Sequence, residues 1–376
     1  MNEVKRMSKN LSARSPAMDV VRSFALLFVI SVHFLLNSGY YSVAVDGPVM
    51  FVMTVLRALF IICVPLFMML SGYLMINKQP NKKYYAKIGY VLVIYLLATL
   101  CCTAYKVFML KETVTVGNVI RGLLNYTGAQ YAWYVEMYIG LFLLVPFLNV
   151  LYNNLKSQKE KQLLLAVLLF LTALPKVLNV FVPDLAWFRN PTSSKDYWHL
   201  VPDFWVVLYP ITYYFLGAYI KEYKIPLRPR TLALLSVLLM VANGAYLYYR
   251  CHGVAFIWGG WQDYGSLFIV AQSVLFFAFF DNLNYDKFPR FLAKGVQHVS
   301  KLSFGAYLVS WVFDQHFYKM LKEAHPDILS RMKYLPIIVF CVLTCSLLAS
   351  FVMEKIYEFL VFLKNKLFPQ KEKSSP

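Results

Sequence analysis

The apolar run MDVVRSFALLFVISVHFLL (Met18–Leu36) is interrupted by two residues that can do chemistry, Arg22 and His33. Each costs at least about 2–3 kcal/mol to place in hydrocarbon, so each needs a reason to be there. On a helix turning about 100° per residue, the two positions differ by roughly 20° beyond three whole turns, with a rise of about 16 Å. They share one face and stand about half a membrane apart. A neutral imidazole suits removal of a proton from a hydroxyl. A guanidinium offers a planar donor fork to phosphate or carboxylate. The pair fits a reaction whose anionic donor enters from the cytoplasm while its acceptor is deprotonated deeper in the membrane. The blander alternatives are an Arg22 that snorkels to the cytoplasmic boundary as an anchor, and a His33 satisfied inside a bundle as a structural residue.

Such residues need a membrane scaffold, and the composition supplies one. The 376 residues are 59% hydrophobic, 17% aromatic and 15% charged, with a mean hydropathy of +0.54. That much apolar surface exceeds what one soluble core can hide, which makes the chain a polytopic membrane protein. The net charge of +18 sits in short loops between apolar runs, and a nucleic-acid binder would gather it on one soluble face, so no nucleic-acid partner is expected. At roughly 20 apolar residues per crossing, ten spans are predicted: 20–38, 50–75, 84–108, 131–153, 162–182, 203–220, 231–250, 264–281, 302–320 and 335–362. Pro175 and Lys176 interrupt the fifth, and Asp314, Gln315 and His316 sit in the ninth.

Orientation follows from charge, because basic residues in short loops prefer the cytoplasm. With the N-terminus inside, the inner segments carry Lys78, Lys82 and Lys83; Lys156, Lys159 and Lys161; Lys221, Lys224, Arg228 and Arg230; Lys287, Arg290 and Lys294; and Lys364, Lys366, Lys371 and Lys373. The opposite loops are mixed, with Asp46 alone in the first and Arg189 and Lys195 balanced by Asp184 and Asp196 in the third. The predicted fold is an all-α bundle of about ten transmembrane helices with both termini cytoplasmic. The first run follows a polar, basic lead and has no small-residue cleavage site behind it, so it is expected to stay as the first span. No two of the six cysteines have Cys-x-x-Cys spacing, and neither a disulfide framework nor a metal site is expected.

Other polar residues could complete a site. Glu136, near the outer start of the fourth span, approaches the expected depth of His33, where a carboxylate would fix the imidazole tautomer and stabilise the imidazolium; its alternative is an interfacial pair with Arg121. Asp314 is the alternative orienter. His199, His252, His298 and His325 fall in loops, and Trp187, Trp198, Trp205, Trp258 and Trp261 fit an outer aromatic belt. The SGY triplet at Ser71–Tyr73 is expected to be a helix end or a close packing point.

These residues also resemble a known family. DVVRSFALLFVISVH is similar to the first-helix signature of membrane acyltransferase family 3, whose members O-acylate bacterial surface glycans and related substrates. VPLFMMLSGYLM (Val64–Met75), WYVEMYIGLFLLVPFLN (Trp133–Asn149) and SFGAYLVSW (Ser303–Trp311) resemble later family segments in the family's order. The resemblance implies His33 as the catalytic residue and Arg22 as a contact for an acyl-CoA donor, acetyl-CoA or another; Glu136 and Asp314 stay catalytic candidates on their depth alone. It implies donor contacts at Lys83 or Lys87, since KKYYAKIGY stands where many members carry Arg-x-x-Arg. Tyr73, Trp133, Tyr307 and Ser310 become candidates for substrate binding; Ser310 takes the place of a histidine found in many members. The expected organisation is a basic segment at 1–19, a transmembrane acyltransferase domain at 20–362 and a basic tail at 363–376, with no fused extracytoplasmic domain. The implied function is O-acyl transfer in the bacterial cytoplasmic membrane, without a metal, to a glycan or lipid-linked saccharide, with glycan-assembly proteins as possible partners. A transporter or exporter using the same intramembrane polar residues is the rival class, and a catalytically silent partner of such an assembly is the third.

Overall fold

The computed structural model describes residues 15–180 and 198–367. The expectations for Trp187, Asp184, Arg189, Lys195, Asp196, Lys371 and Lys373 fall outside them. Twelve longer helices form the described chain: α1 Pro16–Ser38, α2 Gly47–Phe60, α3 Cys63–Met75, α4 Ile88–Phe108, α5 Val116–Leu124, α6 Trp133–Asn154, α7 Gln158–Thr172, α8 Tyr209–Tyr223, α9 Pro229–Cys251, α10 Leu267–Asp281, α11 Arg290–Ala324 and α12 Leu335–Leu367. No strand occurs among the described residues; only isolated bridges join Ala44 to Ala255 and Val45 to His252. The protein is all-α.

Among the described residues, eight stretches are long and apolar enough to cross a membrane: Pro16–Ser38, Gly47–Met75, Lys82–Phe108, Trp133–Asn154, Gln158–Leu178, Pro229–Cys251, Gly260–Asp281 and Leu335–Leu367. Two of the ten expected spans take another form. The sixth becomes α8, only 15 residues, preceded by a 3-10 turn at Val206–Leu208. At ~1.5 Å per residue it is shorter than the ~30 Å hydrocarbon core, and it is sheathed by protein, with Thr212 through Ala218 and Ile220 buried. The ninth lies within α11, 35 residues whose ends are charged.

The chain divides into two compact units. The first comprises Met1–Gln79, Leu144–Ser300 and Tyr318–Val339. In it α8 packs on α3, α9 on α2 and α10, and α1 on α3. Alternation of the helices shows in which ends meet. At one end Val45 N–H donates to Val254 O (2.8 Å) and Arg331 Nη1 to Ser38 O (3.0 Å). At the other, Asn149 Nδ2 donates to Met75 O (2.8 Å) and Lys78 O (2.7 Å), and Asn282 Nδ2 to Ile225 O (2.8 Å). Lys161 pairs with Glu222 at 2.7 Å at the same end.

Two glycines let α3 and α8 touch backbone to backbone. A methyl at Gly72 would overlap the Tyr214 carbonyl, and one at Gly217 would overlap that of Met69. Small residues at such crossings are how apolar helices gain contact when lipid is as oily as they are. The SGY triplet is therefore a packing point. One turn above this contact, Pro65 follows a break in the helix at Ile61–Ile62, as expected where a proline removes the bond to the fourth residue back. Arg57 lies just before the break, 1% exposed. Its described partners are neutral: Tyr41 OH (3.0 Å), Gln262 Oε1 (2.9 Å) and the Phe256 ring, 4.3 Å from the guanidinium.

The second unit comprises Pro80–Leu143, Lys301–Phe317 and Phe340–Pro376. Its helix α4 buries Val91, Ile94, Tyr95, Ala98, Thr99 and Cys102 while Leu92, Leu96 and Leu100 stay exposed, the three-to-four spacing of a helix with one lipid face. Ser350 Oγ donates to Leu302 O (2.8 Å), and Tyr90 OH to Glu354. Pro146 offers no N–H to the carbonyl of Phe142 four residues earlier. Tyr84 OH donates to that carbonyl at 2.7 Å instead. The segment between the third and fourth expected spans is not a surface loop: Thr115 caps α5 by accepting from Asn118 N–H, and α5 folds back against α4.

Gly72→Ala is expected to destabilise the protein by about 3 kcal/mol or more, since the methyl meets backbone that cannot rotate away. Gly140→Ala, with nothing within 4 Å of the added carbon, should be neutral or gain up to ~1 kcal/mol from helix propensity. Thermal unfolding of the two variants in detergent makes the comparison; equal midpoints would contradict it.

Candidate active site

α1 carries both residues that stand out in the sequence. It begins with Pro16 in its first turn, where the missing N–H is harmless, and runs unbroken to Gly39, whose φ of 98° ends it. Arg22 is half-buried, its Nη1 donating to Ser300 Oγ at 3.3 Å. Ser300 Oγ in turn donates to Asp19 Oδ1 at 2.6 Å, and Asp19 is buried. A serine hydroxyl thus links guanidinium to carboxylate at the N-terminal end of the helix. Ser23 Oγ donates to Asp19 O (2.9 Å) and Val296 O (3.3 Å), fixing the same turn of α11 against α1. This is no freely snorkelling anchor. Asp19 stands one turn before Arg22, a spacing that pairs charges on a helix and is visible in the sequence, whereas nothing local marks Ser300.

His33 lies three turns along, half-buried, with Asn37 Nδ2 donating to its backbone carbonyl at 2.9 Å. Next to it Phe34 is fully buried, its ring 5.8 Å from that of Tyr318. The unbroken helix keeps Arg22 and His33 on one face about 16 Å apart along the axis. In the same unit Tyr73 OH donates to Asp281 Oδ1 at 2.9 Å, and Lys221 Nζ stands 5.7 Å from the Tyr73 ring centroid. Burial, and then the like charge of Lys78, hold the Lys221 ammonium below the ordinary lysine value.

The other candidates belong to the second unit. Asp314 is fully buried on α11 and accepts a 2.7 Å hydrogen bond from Tyr131 OH. Tyr307, two turns earlier on α11, donates to the Tyr131 carbonyl, and Ser310 Oγ donates to Tyr307 O at 2.9 Å. Tyr131, which the sequence reading did not single out, ties these together. Trp133 is 43% exposed at the start of α6, and Glu136 is exposed one turn later with no hydrogen bond or ion pair to a described residue. The expected alternative partner of Glu136, Arg121, is likewise exposed. Lys83 and Lys87 are exposed at the opening of the third span, and His316 is exposed on α11. No cluster of three metal-ligating side chains occurs among the described residues.

With this arrangement in view, comparison with known proteins gives one result. Residues 15–352 match the family model described as an acyltransferase domain, that of family 3. The chain belongs to this membrane acyltransferase family, and it is a multi-pass membrane acyltransferase. No curated protein and no solved structure matches it.

Tyr131→Phe removes the donor held by a buried carboxylate, a bond worth about 1.5–3 kcal/mol. Its thermal midpoint in detergent should fall accordingly while Tyr126→Phe, whose hydroxyl makes no described bond, stays near wild type. Equal midpoints would show that Asp314 does not depend on Tyr131.

Proposed function

We propose that the protein transfers an acyl group, most simply acetyl, from cytoplasmic acyl-CoA to a hydroxyl of a cell-surface or lipid-linked glycan in the bacterial cytoplasmic membrane, with His33 as general base. The observation that carries this reading is the single rigid helix that presents Arg22 at one end and His33 three turns on, in a chain of this family. Arg22 holds donor phosphate through its guanidinium fork. Lys78 and Lys221 belong to the same end of their unit, and the repulsion between their like charges is relieved by an anion such as a CoA phosphate. An extended pantetheine arm then spans the distance to His33.

In the chemical step the His33 imidazole takes the proton of the acceptor hydroxyl as its oxygen attacks the thioester carbonyl. The carbon–sulfur bond breaks, and the departing CoA sulfur recovers the proton from the imidazolium. General-base assistance of this kind contributes about 10²–10⁴-fold to rate. A carboxylate, with Asp314 and Glu136 as the candidates, would orient the base or stabilise its charge, and Tyr73, Trp133, Tyr307 and Ser310 are the candidates for acceptor contacts.

Purified protein in nanodiscs, given radiolabelled acetyl-CoA and envelope glycan from its source organism, should release CoA and label the glycan. His33→Ala should lower turnover by at least about 10²-fold with an unchanged unfolding midpoint. Full turnover by that variant would remove His33 from the chemistry, and glycan flux without CoA release would make the protein a transporter.

A further inference from the structure

α4 ends at Phe108, yet Tyr95, thirteen residues back along it, donates its hydroxyl to Gly122 O and Leu123 O, both at 3.2 Å. Thirteen residues of helix rise about 20 Å, some two thirds of a ~30 Å hydrocarbon core. The Tyr126 ring stacks on Tyr95 with centroids 5.8 Å apart, Gly128 lies against Thr99, and the Gln130 backbone hydrogen-bonds the Cys102 thiol. The chain therefore descends beside α4 as α5, turns at Tyr126 with φ 54°, and climbs from the level of Tyr95 to that of Cys102 before α6 begins.

Residues 125–132 are non-helical at that depth. Irregular backbone survives inside a membrane only where protein buries it or water reaches it. Asn125, Thr127 and Gln130 are exposed, as are Asn118 and Arg121 on the polar side of α5. Their opposite numbers, Val116, Ile120 and Leu124, form an exposed apolar stripe at four-residue spacing. At the same height the exposed side of α4 is leucine alone, at Leu92, Leu96 and Leu100. One side of this folded-back segment fits lipid; the other fits only water.

We infer that residues 116–130 line a water-filled vestibule, opening at the Phe108 end of α4, that admits the hydroxyl-rich acceptor and ends at the Tyr131–Asp314 pair. Carboxamides and a guanidinium supply the donors and acceptors that sugar hydroxyls need. The identity of the occupant rests on the acyl-transfer reading; the water path does not. Single substitutions Asn125→Cys, Gln130→Cys, Ile120→Cys and Leu124→Cys, made in the full chain in intact cells, are treated with a membrane-impermeant sulfonated maleimide, and unsubstituted protein sets the background from the native cysteines. The first two should react at least about tenfold faster than the last two, because labelling requires a solvated thiolate. Equal slow labelling at all four, or reaction at Asn125→Cys and Gln130→Cys only after detergent, overturns the vestibule. In the CoA-release assay, Arg121→Ala and Asn118→Ala should raise the half-saturating concentration of envelope glycan about threefold or more and leave that of acetyl-CoA unchanged, as loss of acceptor hydrogen bonds requires. Equal shifts for both substrates, or none, remove the acceptor from it. Wild-type protein that releases no CoA overturns the acyl-transfer reading and leaves the labelling result to decide the vestibule.

Discussion

Hydrocarbon offers no hydrogen-bonding partner, so every polar group held within the membrane has to find one inside the protein or in water the protein admits. That requirement explains features that otherwise look unrelated. Tyr84 takes the Phe142 carbonyl that Pro146 leaves vacant. Arg57, almost wholly buried, is held by a tyrosine, a glutamine and an aromatic face, where a guanidinium can be stabilised through its flat surface as well as its edge. Asp314 is met by Tyr131, and Arg22 reaches Asp19 through Ser300. The same requirement makes the exposed amides beside α5 informative, because no lipid would tolerate them there.

Packing imposes the complementary constraint. Without a hydrophobic drive between helices in lipid, close approach has to supply the cohesion. Gly72 and Gly217 allow it at the contact of α3 with α8, which is why a helix too short to cross the bilayer can sit sheathed in its unit. The polar side chains at the ends of that unit, Asn149 and Asn282 at one and Arg331 at the other, then hold the connecting turns in place.

Much of this was legible in the chain. Long apolar runs mark most of the helices because bilayer thickness sets their length, and the Arg22–His33 spacing places both residues on one helix face because helical rotation is fixed by backbone geometry. Gly72 read as a helix end or a packing point, and the contact with α8 makes it the second. The fold-back of α5 was missed: its nine residues are too few to register as a span, although Thr115 as a cap and apolar residues at 116, 120 and 124 were there to be read. Ser300, Tyr131 and Gln262 acquire their roles only through partners distant in sequence, and no local pattern announces such contacts. Asp314 stood out as polar in an apolar run, but its being held by Tyr131 was not foreseeable.

In the proposed mechanism labour divides along α1, with donor charge bound at Arg22 and proton removal at His33. Equilibrium binding of acetyl-CoA to the wild type, Arg22→Ala and His33→Ala tests that division most directly. Arg22→Ala is expected to weaken binding by about tenfold, some 1.4 kcal/mol, while His33→Ala should bind as the wild type does. Unchanged affinity in Arg22→Ala, or a loss in His33→Ala as large as that in Arg22→Ala, would contradict it.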